Sequence, residues 1–242
     1  MADTIPYLVD ENDPGLESGM VEYGSCTGYL SRPKGGASLG SIVVIHENVG
    51  LVDHIKDVAR HFAKEGFAAL APDMLQRTGG TAQYQTSQDA IAAIRSLDPA
   101  GCVEDLNSAV EYLKSQGFAN GKVGVVGYCW GGGQSLNFAT KCNQLNAAVV
   151  YYGRNPDPLD QVANIACPLM GNYAEDDPNI MPGIEPLKEA LAKAGKSIDL
   201  KIYGGGAKHA FNNNTNADRW HPEAAADAWQ RTVDFYKANL SG

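Results

Sequence analysis

The chain alternates short, β-branched apolar runs with stretches of helical periodicity for most of its length, and this constrains the fold more than any other feature. "SIVVIH" (41–46) has the continuous apolar character of a strand buried on both faces. "DHIKDVARHFAKEG" follows, with Asp53 as the expected N-cap, Ile55, Val58 and Phe62 on one face, and Gly66 as the expected C-terminal cap. Further strands are expected at 67–73, 122–127, 147–153, 167–173 and 197–204. Helices are expected from 103 to about 116, near 131–140 and 184–194, and over 222–239 with Pro222 in its first turn; 83–97 is weakly helical.

Such alternation means βαβ units and an α/β fold with a mostly parallel central sheet covered by helices on both faces. The stretch up to about residue 40 reads as antiparallel edge strands with a Gly-rich turn. With no long linker and no internal repeat, 1–242 reads as a single domain, with 1–20 as an N-terminal extension.

Composition narrows the function. Of the 242 residues, 44% are hydrophobic and 19% charged, enough apolar material for a sizeable core. A net charge of −9 argues against a nucleic-acid partner, because phosphate binding needs clustered Lys and Arg. No apolar run approaches the ~18 residues that span a bilayer, so no membrane association is expected. "MADTIPYLVDENDPG" has neither a basic nor an apolar leader region. The five scattered cysteines form no C-x-x-C pair, which disfavours a zinc ribbon or a disulfide scaffold and suggests a reducing, cytoplasmic setting. No cofactor and no metal are expected. The expected partner is a small molecule, with the chain a monomer or small homo-oligomer.

In open parallel sheets, ligands bind beyond the carboxyl ends of the strands, so reactive residues just after a strand matter most. Cys129 in "GYCWGGG" lies two residues past "KVGVVG" and just before an expected helix. Gly127 and Gly131 relieve the crowding of so sharp a turn, the logic of a nucleophile elbow with cysteine for serine. A helix N-terminus also favours the thiolate. The Gly127/Gly132 spacing is not a phosphate loop, because Gly133 and Gln134 stand where Lys and Ser or Thr are required. A buried cysteine beside glycines kept for packing would look the same locally.

His209 in "GGGAKHAFNN" sits on a late Gly-rich loop, a place suited to a general base, though an ordinary loop histidine would look the same. Among the other histidines, His54 and His61 read as solvated helix residues and His221 as a cap or surface residue. His46 reads as a packed, hydrogen-bonded residue. "NYAEDDPNI" offers Glu175, Asp176 or Asp177 as the carboxylate that orients the imidazole, and spacing does not choose among them. Glu47 in "IHENVG" is unusual, because a carboxylate there would face a developing negative charge. It is either an exposed strand-end residue or a handler of the thiol proton.

Cys129, the acidic triplet and His209 follow the chain order of the α/β-hydrolase fold, each after its own strand. With "VVIHENVGL", "APDMLQRTGG", "GKVGVVGYCWGGG", "VVYYG", "YAEDDPNI" and "GAKHAFNN", the chain resembles the dienelactone hydrolase (carboxymethylenebutenolidase) family within that superfamily, from about residue 20 onward. The resemblance implies Cys129 as nucleophile, His209 as base and Asp177 as its orienter. It implies Glu47 as the partner that helps generate thiolate, and the N–H groups of Asn48 and Trp130 as the oxyanion hole. It also implies Arg77 as the binder of a substrate carboxylate and Tyr151 as a pocket residue. One position departs from the family: Asn213 stands where the best-known members carry a second substrate-binding arginine.

The expected activity is hydrolysis of a small ester or lactone through an acyl-thioester. A broader carboxylesterase or thioesterase is the nearest alternative. A redox-active cysteine protein without turnover, or a silent binding protein on a hydrolase scaffold, is a more distant one.

Overall fold

The structure, a computed structural model, describes residues 8–242. Residues 1–7 of the N-terminal stretch weighed above therefore lie outside the described residues. The chain divides into two compact units. One comprises Val9–Val125 with Leu240–Gly242, and the other is built on Val126–Asn239.

In the first unit, β1 (Leu16–Tyr23) and β2 (Cys26–Pro33) form an antiparallel hairpin, Leu16 opposite Pro33, that turns at Gly24 with φ +60°. Part of the expected N-terminal extension is thus strand. β2 also runs antiparallel to β4 (Ala68–Pro72), and β3 (Leu39–Ile45) runs parallel to β4 with Ser41 opposite Ala68. The order is β1-β2-β4-β3-β5, where β5 (Ala119–Tyr128) carries its last residues into the second unit. Ile42–Ile45 and Ala68–Ala71 are wholly buried, as strands covered on both faces must be.

Helix α1 (Asp53–Lys64) buries Ile55, Val58 and Phe62 as expected, and Gly66 ends it with φ +95°. Its N-cap, however, is Val52 in extended conformation, and Asp53 is the first helical residue, where its charge still suits the dipole. His54 is buried rather than solvated, and His61 pairs with the buried Asp57. The covered face of α1 is wider than its apolar stripe because Asp57 and Arg60 also bind the backbone of Val9.

Thr86 caps α2 (Ser87–Ser96), its hydroxyl accepting the Asp89 N–H. Helix α3 (Pro99–Ser115) begins four residues before the expected start. Asp98 caps it by accepting the Gly101 N–H at 3.0 Å, and Pro99 opens its first turn.

In the second unit, β6 (Ala147–Tyr151), β7 (Leu169–Asp176) and β8 (Asp199–Lys208) are parallel, with Tyr151 opposite Asn172 and Asn172 opposite Lys201. The order is β5-β6-β7-β8. The helices are α4 (Trp130–Ala139), α5 (Ile184–Lys193) and α6 (Pro222–Leu240). His221 caps α6, its Nδ1 accepting the Ala224 N–H. β8 runs four residues past its expected end. Gly205 and Gly206, at φ +69° and +93°, absorb a register shift against β7 without ending the strand. No helix of the described residues is long and apolar enough to cross a membrane.

Candidate active site

In the second unit, β5 delivers the chain to Cys129, which is the N-cap of α4 at φ +57°, ψ −115°. A non-glycine residue rarely adopts this conformation, and it persists only where the surroundings enforce it. The enforcement is visible. The Cys129 N–H donates to the Tyr151 carbonyl at 3.1 Å, and the Cys129 carbonyl accepts the Gly133 N–H at 3.2 Å. A Cβ at Gly127 would lie 1.8 Å from the Gly131 carbonyl oxygen, so no other residue fits beneath the turn. Gly132, which the sequence raises only as half of a phosphate-loop spacing, is required as well, since its Cβ would meet the Tyr151 carbonyl oxygen at 2.4 Å. Trp130 is the first residue of α4, so its N–H points off the start of the helix.

His209 immediately follows β8. Its Nδ1 donates to Asp177 Oδ2 at 2.6 Å, which leaves Nε2 for the hydrogen bond with Cys129. Burial decides among the three acids: Glu175 and Asp176 are exposed, whereas Asp177 is 2% exposed just past the end of β7. Burial of the ring opposes its charged form. The hydrogen bonds of Asp177 and Cys129 outweigh that and push His209 up to about 10. The imidazole therefore holds a proton over the neutral range.

The wall beside this group is aromatic. The Tyr152 ring packs on His209 at 5.0 Å, and Phe211 meets Tyr152 edge-on at 5.4 Å. Among the described residues, four non-glycine positions have positive φ. Three of them, Cys129, Tyr152 (+41°) and Ala210 (+67°), belong to this cluster. Backbone strain concentrated in one cluster is the pattern of a preorganised site.

Tyr151, expected to line the pocket, is fully buried, and its hydroxyl lies within hydrogen-bond reach of the Ala228 carbonyl of α6 at 2.9 Å and of Thr232 Oγ1 at 2.8 Å. Side chains alternate along a strand, so in "VVYYG" the second tyrosine takes the place beside the histidine. Asn213 is spent on the loop after His209, its Oδ1 accepting the N–H and Oγ1–H of Thr215 at 3.0 and 2.7 Å.

Glu47, Asn48 and Arg77 belong to the first unit. His46 is fully buried and hydrogen-bonded, as expected. Its Nε2 accepts the Met74 N–H at 3.2 Å, and its Nδ1–H donates to the Glu47 carbonyl at 2.6 Å. Burial holds this histidine below its usual range and thus neutral, which suits a donor–acceptor brace. Glu47 is buried, not the exposed strand-end residue that was one of its two readings. Asn48 occupies the following turn. Beyond it, the Leu51 N–H donates to Thr81 Oγ1, and Thr81 donates to both carboxylate oxygens of Asp73 at 2.7 Å. The 47–51 loop is thereby anchored at both ends.

Arg77 closes its fork on Asp105, with Nε and Nη2 each at 2.9 Å, and Nη2 also reaches Glu104. The bidentate geometry that would grip a substrate carboxylate is engaged within the protein. Among the described residues no group of three His, Cys, Asp or Glu could hold a metal ion.

The chain matches the dienelactone hydrolase family over residues 26–240. A protein of Saccharolobus solfataricus that bears the name carboxymethylenebutenolidase is 33% identical, over 81% of this chain and 88% of its own. One of Methylorubrum extorquens with the same name is 32% identical, over 92% and 81%. The crystal structure of a Klebsiella pneumoniae protein named as a dienelactone hydrolase superposes with a TM-score of 0.84 at 27% identity, covering 91% of this chain and 98% of that one. The acylaminoacyl peptidase of Pyrococcus horikoshii, at 16% identity and a TM-score of 0.72, shares the fold alone. The fold is that of the α/β-hydrolases, and the chain belongs to the dienelactone hydrolase family, carboxylic ester hydrolases of the ester and lactone type.

Proposed function

We propose that the protein hydrolyses a small ester or lactone by covalent catalysis at Cys129. One observation carries this reading: a cysteine in an enforced left-handed conformation shares His209 with a buried aspartate. Glu47 takes the thiol proton as substrate arrives, and the sulfur attacks the carbonyl carbon. The N–H groups of Trp130 and Asn48 receive the oxyanion, and each such donor is typically worth about 3–4 kcal/mol. The tetrahedral adduct expels the alkoxide, which takes the His209 proton and leaves as alcohol or, for a lactone, as the freed hydroxyl end. Neutral His209 then draws a proton from water, whose oxygen attacks the thioester. The acid departs, and the sulfur recovers its proton from Glu47. Asp177 holds the imidazole tautomer throughout and stabilises its charged form.

The test is kcat/KM across dienelactone, neutral p-nitrophenyl esters and acyl thioesters, for the wild type and Cys129→Ala. Cys129→Ala should abolish turnover of every substrate; retained turnover contradicts the assignment. The ranking of the three classes separates a lactone hydrolase from a carboxylesterase or thioesterase.

A second reading concerns the substrate's charge. Arg77 is closed on Asp105, and Asn213 offers no cation, which favours a neutral ester or lactone over a carboxylated one. Under this reading Arg77 braces the first turns of α3. Arg77→Ala should then lower kcat/KM for acidic and neutral substrates alike, by less than about tenfold. A loss confined to acidic substrates returns Arg77 to substrate binding.

A further inference from the structure

One hydroxyl on α6 is tied to both halves of the candidate centre without touching either. Thr232 is fully buried, and its Oγ1 lies 2.8 Å from the Tyr151 hydroxyl. Both hydroxyls reach the Ala228 carbonyl, at 2.8 Å from Thr232 and 2.9 Å from Tyr151. Burial pushes the Tyr151 phenol well above its usual range, so it remains a neutral donor. The backbone carbonyl of this same tyrosine accepts the Cys129 N–H at 3.1 Å.

The second tie passes through Asn172, also fully buried. Its Nδ2 donates to Thr232 Oγ1 at 3.4 Å, and its Oδ1 accepts from Arg231 Nη1 at 2.8 Å. Its backbone carbonyl accepts the Tyr152 N–H at 2.9 Å, and Tyr152 is the strained residue whose ring lies on His209.

The geometry points to Thr232 as a positioning residue: through Tyr151 it fixes the strained backbone of Cys129, and through Asn172 it fixes the tyrosine that seats His209. This rests on the reading of Cys129 as nucleophile. Strain survives only where neighbours over-determine it, and neither Gly127 nor Gly132 can supply a hydrogen-bonded anchor from its side chain. A Thr232 hydroxyl satisfied by three partners supplies one, on a helix that contributes no reacting group. An interior hydroxyl kept only for stability would have no reason to link these two strained positions.

The experiment compares Thr232→Val, Thr232→Ser and Tyr151→Phe with wild type on a p-nitrophenyl ester, reading kcat, KM and Tm. Small misplacements of reacting groups cost up to ~100-fold, so Thr232→Val should lower kcat about 10-fold with KM within twofold. Thr232→Ser, which keeps the oxygen, should recover kcat to within about threefold of wild type. Tyr151→Phe should fall as Thr232→Val does, and it decides the matter if the valine variant does not fold. Unchanged kcat in both hydroxyl deletions overturns the inference, as does a Thr232→Ser variant no better than Thr232→Val. Cys129→Ala, measured alongside, separates the two claims. If it is inactive while the deletions are normal, only the positioning role is lost; if it is active, the nucleophile reading itself fails.

Discussion

Two buried aspartates in this protein each pair with a histidine, and the two pairs are built differently. Asp177 and Asp57 are both 2% exposed. Asp57 divides itself among the Val9 N–H at 2.7 Å, Arg60 at 3.4 Å and His61 at 3.3 Å, along regular helix. Arg60 returns to the Val9 carbonyl at 2.7 Å and to the Tyr29 hydroxyl at 3.1 Å. This clasp fastens the chain near its start to α1. Asp177 instead gives His209 a single short bond of 2.6 Å, and the ring's other nitrogen is left to a cysteine on strained backbone. In the proposed mechanism the Asp177 pair serves as a proton relay because of what the second nitrogen of His209 meets, not because of the pairing itself.

The largest effects should separate the two aspartates. Asp177→Asn leaves the shape intact but no longer enforces the tautomer, and a fall in kcat of about 10³–10⁴ is expected. Asp57→Ala strands a buried arginine and should cost about 3 kcal/mol of stability in urea unfolding. Its kcat/KM should stay within about threefold of wild type. If Asp57→Ala proved the worse catalyst, the division between clasp and relay would be wrong.

A smaller effect sharpens the comparison through pH. The folded protein holds a proton on His209 up to about 10, while an unfolded histidine releases it near 6.5. The stabilisation is full below 6.5, declines between 6.5 and 10, and is gone above 10. Unfolding free energy should therefore fall across that window in the wild type, and His209→Gln should lose the His209 part of the slope. An unchanged slope in His209→Gln would show that Asp177 gives the ring no special hold on its proton.

What the sequence could tell depended on how local each signal was. The buried strand at 42–45 is readable because β-branched residues on both faces leave no alternative, and Cys129 because Gly127 cannot be anything else. The extension of β8 was missed because Gly205 and Gly206 read as a loop, although positive φ there keeps the strand going. Spacing alone could not tell Asp177 from Asp176; the resemblance chose it, and burial, which depends on how the chain turns after β7, distinguishes it physically. The resemblance points to Tyr151, whereas the ring that packs on His209 is that of Tyr152; in a strand one residue is the difference between the two faces. The Thr232 tie links positions some 80 residues apart, and no local pattern announces it.

The central claim is that Cys129 carries the acyl group. The direct measurement is the mass of the protein quenched during turnover of a p-nitrophenyl ester, in the Asp177→Asn variant to slow deacylation, followed by peptide mapping. The account predicts one added acyl group, on the peptide containing Cys129, which hydroxylamine removes. An acyl group on another residue, or full turnover by Cys129→Ala, would contradict it.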